Sequence, residues 1–280
     1  MENNEKKTFS VIVPAYNVEE LVKDSLGSVL NQTYKNYELI VVDDCSTDNT
    51  MNVISEIAKN NPNVKVYQTP QNMRQGGARN LGLSHANGEY ILFLDSDDAL
   101  FSNNVLEKLN TIIESKHPDL IYTGFKATGC RDFEVMPTEE NCNREYRLGE
   151  WKWVNCYTLC LRNDVIKENN ITFPEGIRYE DVAFNFHAIS KCKSYEIAPF
   201  FSHWYIARPD SSMGNKQFGQ VRDTVSLIEA LCDLKEHIAP NDLPLLYRRI
   251  AQQESRIIPR LDRVLTKLDC KEKETEEEVR

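Results

Sequence analysis

The chain is 280 residues long, 41% hydrophobic and 27% charged, which suits one globular domain with or without a helical appendage. Its formal net charge of −10 leaves no basic excess to displace counterions, so nucleic acid is excluded as a partner and a phosphorylated substrate needs a metal or a local cationic spot. The leading Met-Glu-Asn-Asn-Glu-Lys-Lys lacks the apolar core of a signal peptide, and no apolar run nears the ~20 residues that span a bilayer. Eight scattered cysteines without a Cys-x-x-Cys read as reduced thiols, so a cytoplasmic protein is expected. Cys156 and Cys160 are spaced to share a helix face.

Phe9 to Pro14 is predicted as the first strand, and Glu19 to Leu30 as a helix with Leu21, Leu26, Val29 and Leu30 inward. Asn36 to Asp44 is a second strand that runs into two acids. Cys45-Ser46-Thr47-Asp48 is rich in capping residues and opens a helix to Lys59. Val64 to Tyr67 is a third strand. A loop from Thr69 to Gly77 then leads into a helix carrying Ala78-Arg79-Asn80-Leu81-Gly82. Asn87-Gly88 turns the chain into Tyr90 to Leu94, an unbroken apolar run expected of a strand covered on both faces. Such alternation implies an α/β fold with a mostly parallel sheet wrapped by helices. Neither familiar glycine-rich phosphate loop is present, so phosphate must rest on acids with a cation, or on Arg74 and Arg79.

The apolar run ends in Asp95, Asp97 and Asp98. Residues two apart on an extended chain share a side, so Asp95 and Asp97 point together. Their repulsion is relieved if Mg2+ or Mn2+ sits between them. Ligands of open α/β sheets bind at the carboxyl ends of strands, where this cluster lies. A turn-and-cap cluster accounts for the same residues without a ligand.

Ser102 is expected to cap a helix through Lys116, and Asp119 to Phe125 is a further strand. Lys126 to Tyr146 is polar and irregular, a surface excursion or an extra hairpin. Trp151 and Trp153 gather aromatics ahead of a helix from Asn163. A loop from Phe173 carries Glu180 and Asp181 into an apolar helix from Val182 to Ser190. Ser194 to Ile197 and Phe201 to Tyr205 read as two late strands. Two helical stripes follow: Val221, Val225, Ile228 and Leu231, then Ile257, Leu261, Val264 and Leu268. The second is flanked by Arg256, Arg260, Arg263 and Lys267, which suits packing on the domain, pairing of two copies or contact with a membrane surface. The expected organisation is a flexible 1–7, a main domain over 8–212, a helical extension over 213–270 and a disordered charged tail over 271–280.

Five segments, in order, resemble the family 2 inverting glycosyltransferases of the GT-A fold. Ser10 to Asn17 is similar to the opening strand motif. Val42-Asp43-Asp44-Cys45-Ser46-Thr47-Asp48 is similar to Val-Asp-Asp-Gly-Ser-x-Asp. Asn72 to Gly82 is similar to Asn-x-Gly-x-x-x-Ala-Arg-Asn-x-Gly. Asp95-Ser96-Asp97 matches the metal motif, and Tyr179-Glu180-Asp181 the catalytic-base motif. Cys45 and Arg74 stand where that pattern has Gly. The C-terminal part of the chain carries no motif of the family.

The resemblance implies a GT-A domain, a nucleotide-sugar donor (a UDP-sugar most often) and Mn2+ or Mg2+. It places Asp44 on the nucleobase, with Pro14, Ala15, Tyr16 and Glu19 lining the nucleotide side and Arg79 near the donor. Asp95, Ser96 and Asp97 fall at the ribose and metal-diphosphate, with Asp97 the direct ligand, and Asp181 is the base. The acceptor implied is a growing bacterial surface glycan or its lipid-linked precursor. Glu180, Trp151 and Trp153 are candidate acceptor contacts, His203 a candidate further metal ligand and Arg208 a candidate phosphate contact. The chemistry asks for these duties independently. A sugar hydroxyl is a weak nucleophile until a carboxylate opposite the leaving group takes its proton, and in-line attack inverts the anomeric centre. The departing diphosphate gains charge that a cation offsets. Two rival readings are a nucleotidyltransferase and a non-catalytic nucleotide-sugar-binding protein. The first wants a glycine-rich cationic loop after the first strand, which Pro14-Ala15-Tyr16-Asn17 is not. The second needs Asp44 and Asp97 but no base.

Overall fold

The structure, a computed structural model, describes residues 7–130, 132–149, 155–208 and 219–260. The first half alternates: β1 (Phe9–Ala15), α1 (Val22–Leu30), β2 (Tyr37–Asp43), α2 (Thr50–Lys59), β3 (Val64–Gln68), α3 (Arg74–His85) and β4 (Tyr90–Phe93). A two-residue β5 (Ala99–Leu100), α4 (Val105–Lys116), β6 (Leu120–Gly129) and β7 (Phe133–Val135) follow. Then come α5 (Glu139–Cys142), α6 (Arg144–Gly149), β8 (Leu159–Arg162), α7 (Asn163–Glu168), α8 (Glu180–Lys191) and β9 (Tyr195–Ala207). The described C-terminal part holds α9 (Gly219–Asp233) and α10 (Leu243–Glu254).

Among the described residues nine strands form one sheet in the order β3-β2-β1-β4-β8-β6-β9-β5, with β7 hydrogen-bonded to β6. The β3-β2-β1-β4 part is parallel. β8 enters antiparallel between β4 and β6, and β9 runs parallel to β6. Every residue of β1 and β2 is buried, because helices cover both faces. Alternation then sorts their side chains into two cores. Val11, Val13, Leu39 and Val41 pack with Val22, Leu26, Leu106 and Leu109 on one face. Ile12, Ile40, Val42 and Phe93 pack with Ala78, Val182 and Phe184 on the other. On that second face α3 lies close against β1: a Cβ at Gly82 would stand 2.5 Å from Cγ2 of Ile12, so only glycine permits the approach.

Several expected elements fall differently. The first helix begins at Val22 rather than Glu19. Asn104, not Ser102, takes the N-cap position of α4, and the Ser102 hydroxyl donates to Asn104 Oδ1 at 2.8 Å. Of the two readings for 126–146, the extra hairpin appears as β6 pairing with β7, followed by two short helices. The two late strands are one, β9, whose pairing with β6 slips near Gly124. Cys156 lies in a short helical turn and Cys160 in β8, both buried, so they share no helix face. The described cysteines are free thiols.

The C-terminal helices share the second core, since Leu227, Leu231 and Leu246 are buried within it. α9 is rotated from the expected stripe: of its members Leu231 is buried, Val221 and Ile228 are half-buried and Val225 is 40% exposed, while Asp223, Thr224 and Leu227 beside them are buried. Two arginines of the main domain satisfy Asp223, which makes that rotation tolerable. Leu261, Val264 and Leu268 of the second stripe, the expected tail, and Trp151 and Trp153 lie outside the described residues. No helix among the described residues is long and apolar enough to cross a membrane.

Candidate active site

The carboxyl ends of β1, β2 and β4 open on one side of the sheet, and the loops beyond them carry the acids. The loops after β1 and β2 interlock. Asn17 Oδ1 accepts the Thr47 amide at 2.8 Å, and Glu19 Oε2 accepts the Asn49 amide at 2.8 Å. Glu19, expected on the nucleotide side, therefore spends its carboxylate on the loop that opens α2. Pro14 and Ala15 are buried in β1, and Tyr16 beside them is 45% exposed.

Asp44 is buried just past β2. Its Oδ1 accepts the Thr69 hydroxyl at 2.7 Å and the Met73 amide at 2.8 Å. Asp43 turns the other way and takes the Gln68 amide and the Ser46 N–H. The two departures from the glycine pattern, Cys45 and Arg74, both hold left-handed backbone, with φ of 58° and 60°. The pattern's glycines are thus explained by conformation, and this chain bears the strain at both places.

Beyond β4 exposure alternates, with Asp95 and Asp97 on the open side and Ser96 and Asp98 buried. Asp97 pairs with Arg208, at the end of β9. Burial, and then the charge of Asp95, push the Asp97 carboxyl up despite Arg208. Asp98 accepts the Ile206 amide at 2.9 Å; burial and its two acidic neighbours push it up to about 8, so it holds its proton at neutral pH. His203, a candidate further metal ligand, has both ring nitrogens engaged within the protein: its Nδ1 lies 2.7 Å from the Ser202 hydroxyl, and its Nε2, 2.9 Å from the Phe93 carbonyl, ties β9 to β4. Burial lowers its pKa to about 4 and keeps it neutral.

Arg79, expected near the donor, is 2% exposed. Its Nη2 meets Asp95 Oδ1 at 2.7 Å and its Nη1 meets Glu180 Oε1 at 2.5 Å. One guanidinium thus joins the acids after β4 to the start of α8. Glu180 is buried with its charge committed to this pair. Asp181, next along, is half-buried, and no side chain among the described residues hydrogen-bonds its carboxylate. Burial raises its pKa to about 7; Glu180 and Asp95 add to the rise and Arg79 opposes it. The preceding Tyr179 is left-handed at φ 64°, which aims the first turn of α8.

Sequence reasoning missed Thr69, Met73 and the clamp on Asp44, because a backbone amide and one hydroxyl leave no motif. It also missed Asp223, whose carboxylate receives Arg74 at 3.4 Å and Arg178 at 3.7 Å.

The Glycosyl transferase family 2 model matches residues 10–174. A poly(ribitol-phosphate) beta-glucosyltransferase of Bacillus spizizenii is 32% identical over 242 residues, covering 81% of this chain and 37% of that protein. This chain therefore spans little more than a third of that relative's length. An uncharacterized glycosyltransferase of Haemophilus influenzae is 31% identical over 185 residues, 66% of this chain and 72% of that protein. The crystal structure of S. aureus TarS 1-349 in complex with UDP-GlcNAc aligns with a TM-score of 0.71 and 26% identity, over 90% of this chain and 72% of that one. Ordered motifs, a parallel sheet with acids at its carboxyl ends, and these matches agree: the chain has the GT-A fold and belongs to glycosyl transferase family 2.

Proposed function

We propose that the protein transfers a sugar from a UDP-sugar to a hydroxyl of a bacterial surface glycan, with inversion and with the help of Mn2+ or Mg2+. The observation that carries this reading is the division of labour among the acids. Among the described residues Asp44 keeps Oδ2 without a protein partner, suited to accept an N–H of the nucleobase. Asp181 sits at the start of α8 with a carboxyl poised near 7, suited to take the acceptor's proton as the new bond forms. Glu180 is unsuited to that duty because Arg79 holds its charge.

The cation is judged by the donors present. Asp95 and Asp97 are hard oxygen ligands on one open side, and Arg208 on Asp97 with Arg79 shared between Asp95 and Glu180 sets two cations against three carboxylates. That fits one hard divalent ion held chiefly by Asp97. Among the described residues no group of three or more His, Cys, Asp or Glu forms a full ligand set, so substrate oxygens and water would complete it. When bound, the ion would offset charge on the departing diphosphate.

For the acceptor, the B. spizizenii relative and a Staphylococcus aureus relative, 31% identical over 208 residues, are both named for poly(ribitol-phosphate). Arg74 and Arg178, exposed at their side chains and sharing the single carboxylate of Asp223, stand where the chain leads into α8 and Asp181 and suit an anionic glycan. A nucleotide-sugar donor and such an acceptor meet at the cytoplasmic face of the membrane, and we place the protein there. Val225 on α9, Tyr247 on α10 and Ile258 just past α10 are exposed apolar side chains that a second copy or a bilayer surface would cover.

The test is a panel of UDP-, GDP- and dTDP-sugars with Mn2+, scored by released nucleoside diphosphate with and without a poly(ribitol-phosphate) acceptor. Turnover is expected with a UDP-sugar. Silence across the panel overturns the proposal.

A further inference from the structure

We infer that Arg79 and Asn80 are positioning residues for the proposed transfer: together they fix segment 173–181, and with it Asp181, against the donor-side Asp95, and neither touches the donor. This rests on the transferase reading above. The base from which they work is rigid. Helix α3 is seated on β1 at Gly82, and at Gly76 it lies against the segment itself, where a Cβ would stand 2.4 Å from the Pro174 carbonyl oxygen.

The two side chains grip that segment at its two ends. Asn80 Oδ1 accepts the Phe173 amide at 2.8 Å, and Asn80 Nδ2 donates to the Phe173 carbonyl at 2.9 Å, as a neighbouring strand would. The same amide nitrogen reaches Glu175 Oε1 at 3.2 Å. Arg79 takes the far end through Glu180. Its guanidinium lies 5.3 Å from the Phe173 ring centre. That ring stacks on Phe184 at 3.8 Å and meets Phe93 edge-on at 5.2 Å, so the floor under Arg79 is built from α8 and β4. Buried this way, with Nη1 on Glu180 and Nη2 on Asp95 and within 3.5 Å of Gln75, both terminal nitrogens are committed to the protein, and Nε, buried with them, has no partner among the described residues. A planar fork bridges two carboxylates from different segments, which a lysine's single point of charge does not.

The experiment uses the full chain and three variants. Arg79→Met strands two carboxylates without a counter-charge and risks misfolding, so Arg79→Met/Glu180→Gln removes one of them. Asn80→Ala changes no charge at all. Hydrogen exchange is followed over residues 173–181, UDP affinity is measured with Mn2+, and kcat and donor KM are taken on the best UDP-sugar. For Asn80→Ala and the double variant, exchange over 173–181 should quicken about tenfold while β1 and β4 stay as in the parent. UDP affinity and donor KM should hold within about 3-fold while kcat falls about 100-fold, the penalty of a slightly misplaced base. Arg79→Lys should not restore kcat. Unchanged exchange over 173–181, or a loss of UDP affinity that matches the loss of kcat, overturns the inference. If the parent transfers no sugar yet the exchange and UDP results stand, the transferase reading falls while the grip of Arg79 and Asn80 on the segment is upheld.

Discussion

The Thr69 hydroxyl donates to Oδ1 of Asp44 across 2.7 Å, from a loop that is 25 residues further along the chain. With the Met73 amide on the same oxygen, the carboxylate is fixed in orientation before any ligand arrives. Asp44→Asn keeps an oxygen for both donors and replaces only Oδ2 by an amide that cannot accept an N–H. Its thermal stability should stay near that of the parent. UDP affinity, by titration calorimetry, should fall about 10- to 100-fold, the range for losing a hydrogen bond to a charged group. Equal affinity would remove Asp44 from the nucleotide site.

Asp181 leads to a kinetic prediction. Asp181→Asn should lower kcat about 100- to 10,000-fold, the usual span for a general base, with UDP affinity little changed. In the parent, kcat/KM should climb with pH through about 7 as this carboxyl loses its proton, then level off. A flat profile between about pH 5 and 9, or a variant that turns over normally, would show that another group takes the proton.

The same residue leads to a prediction about stability with the opposite sense. Its native pKa of about 7 lies above the value near ~3.9 of an unfolded aspartate. A raised pKa means that the fold favours the protonated form. That contribution is complete below about pH 4 and is lost as pH rises through about 7. Asparagine cannot ionise. Asp181→Asn should therefore melt several degrees above the parent at about pH 8 and level with it at about pH 4, by calorimetry. Equal melting points at both would mean that Asp181 ionises in the fold without penalty.

Asp97 is tested without turnover. In the parent, Mn2+ should strengthen UDP binding at least tenfold, about 1.4 kcal/mol, a modest share of the several kcal/mol such ions supply. In Asp97→Asn the affinity for UDP should be the same with Mn2+ and with chelator. Retained stimulation would move the cation to other ligands.

Much of this was legible in the residues. The fully covered runs of β1, β2 and β4 announce strands by composition alone, and the acids that follow β2 and β4 mark where the sheet opens. What could not be read is set by partners distant in sequence. β8 is four residues long and exists because β4 and β6 leave a gap that it fills antiparallel. Helical period puts Val225 on the apolar stripe of α9, yet Asp223 is the buried residue, since Arg74 and Arg178 wait for it from far earlier in the chain. Arg79 shares the inward side of α3 with Gly76 and Leu83, yet nothing near it in sequence announces Glu180, 101 residues on, which meets it there. The resemblance sets Glu19 on the nucleotide side, and nothing in its neighbours announces the Asn49 amide that its Oε2 accepts.

Asp223 also bears on any attempt to re-engineer the protein. Relatives are natural sources of C-terminal helices for chimaeras meant to alter which glycan is decorated. A graft that begins at Gly219 carries away the carboxylate on which Arg74 and Arg178 converge, and leaves two guanidinium groups without the charge between them. Positions 74, 178 and 223 are best exchanged as one set.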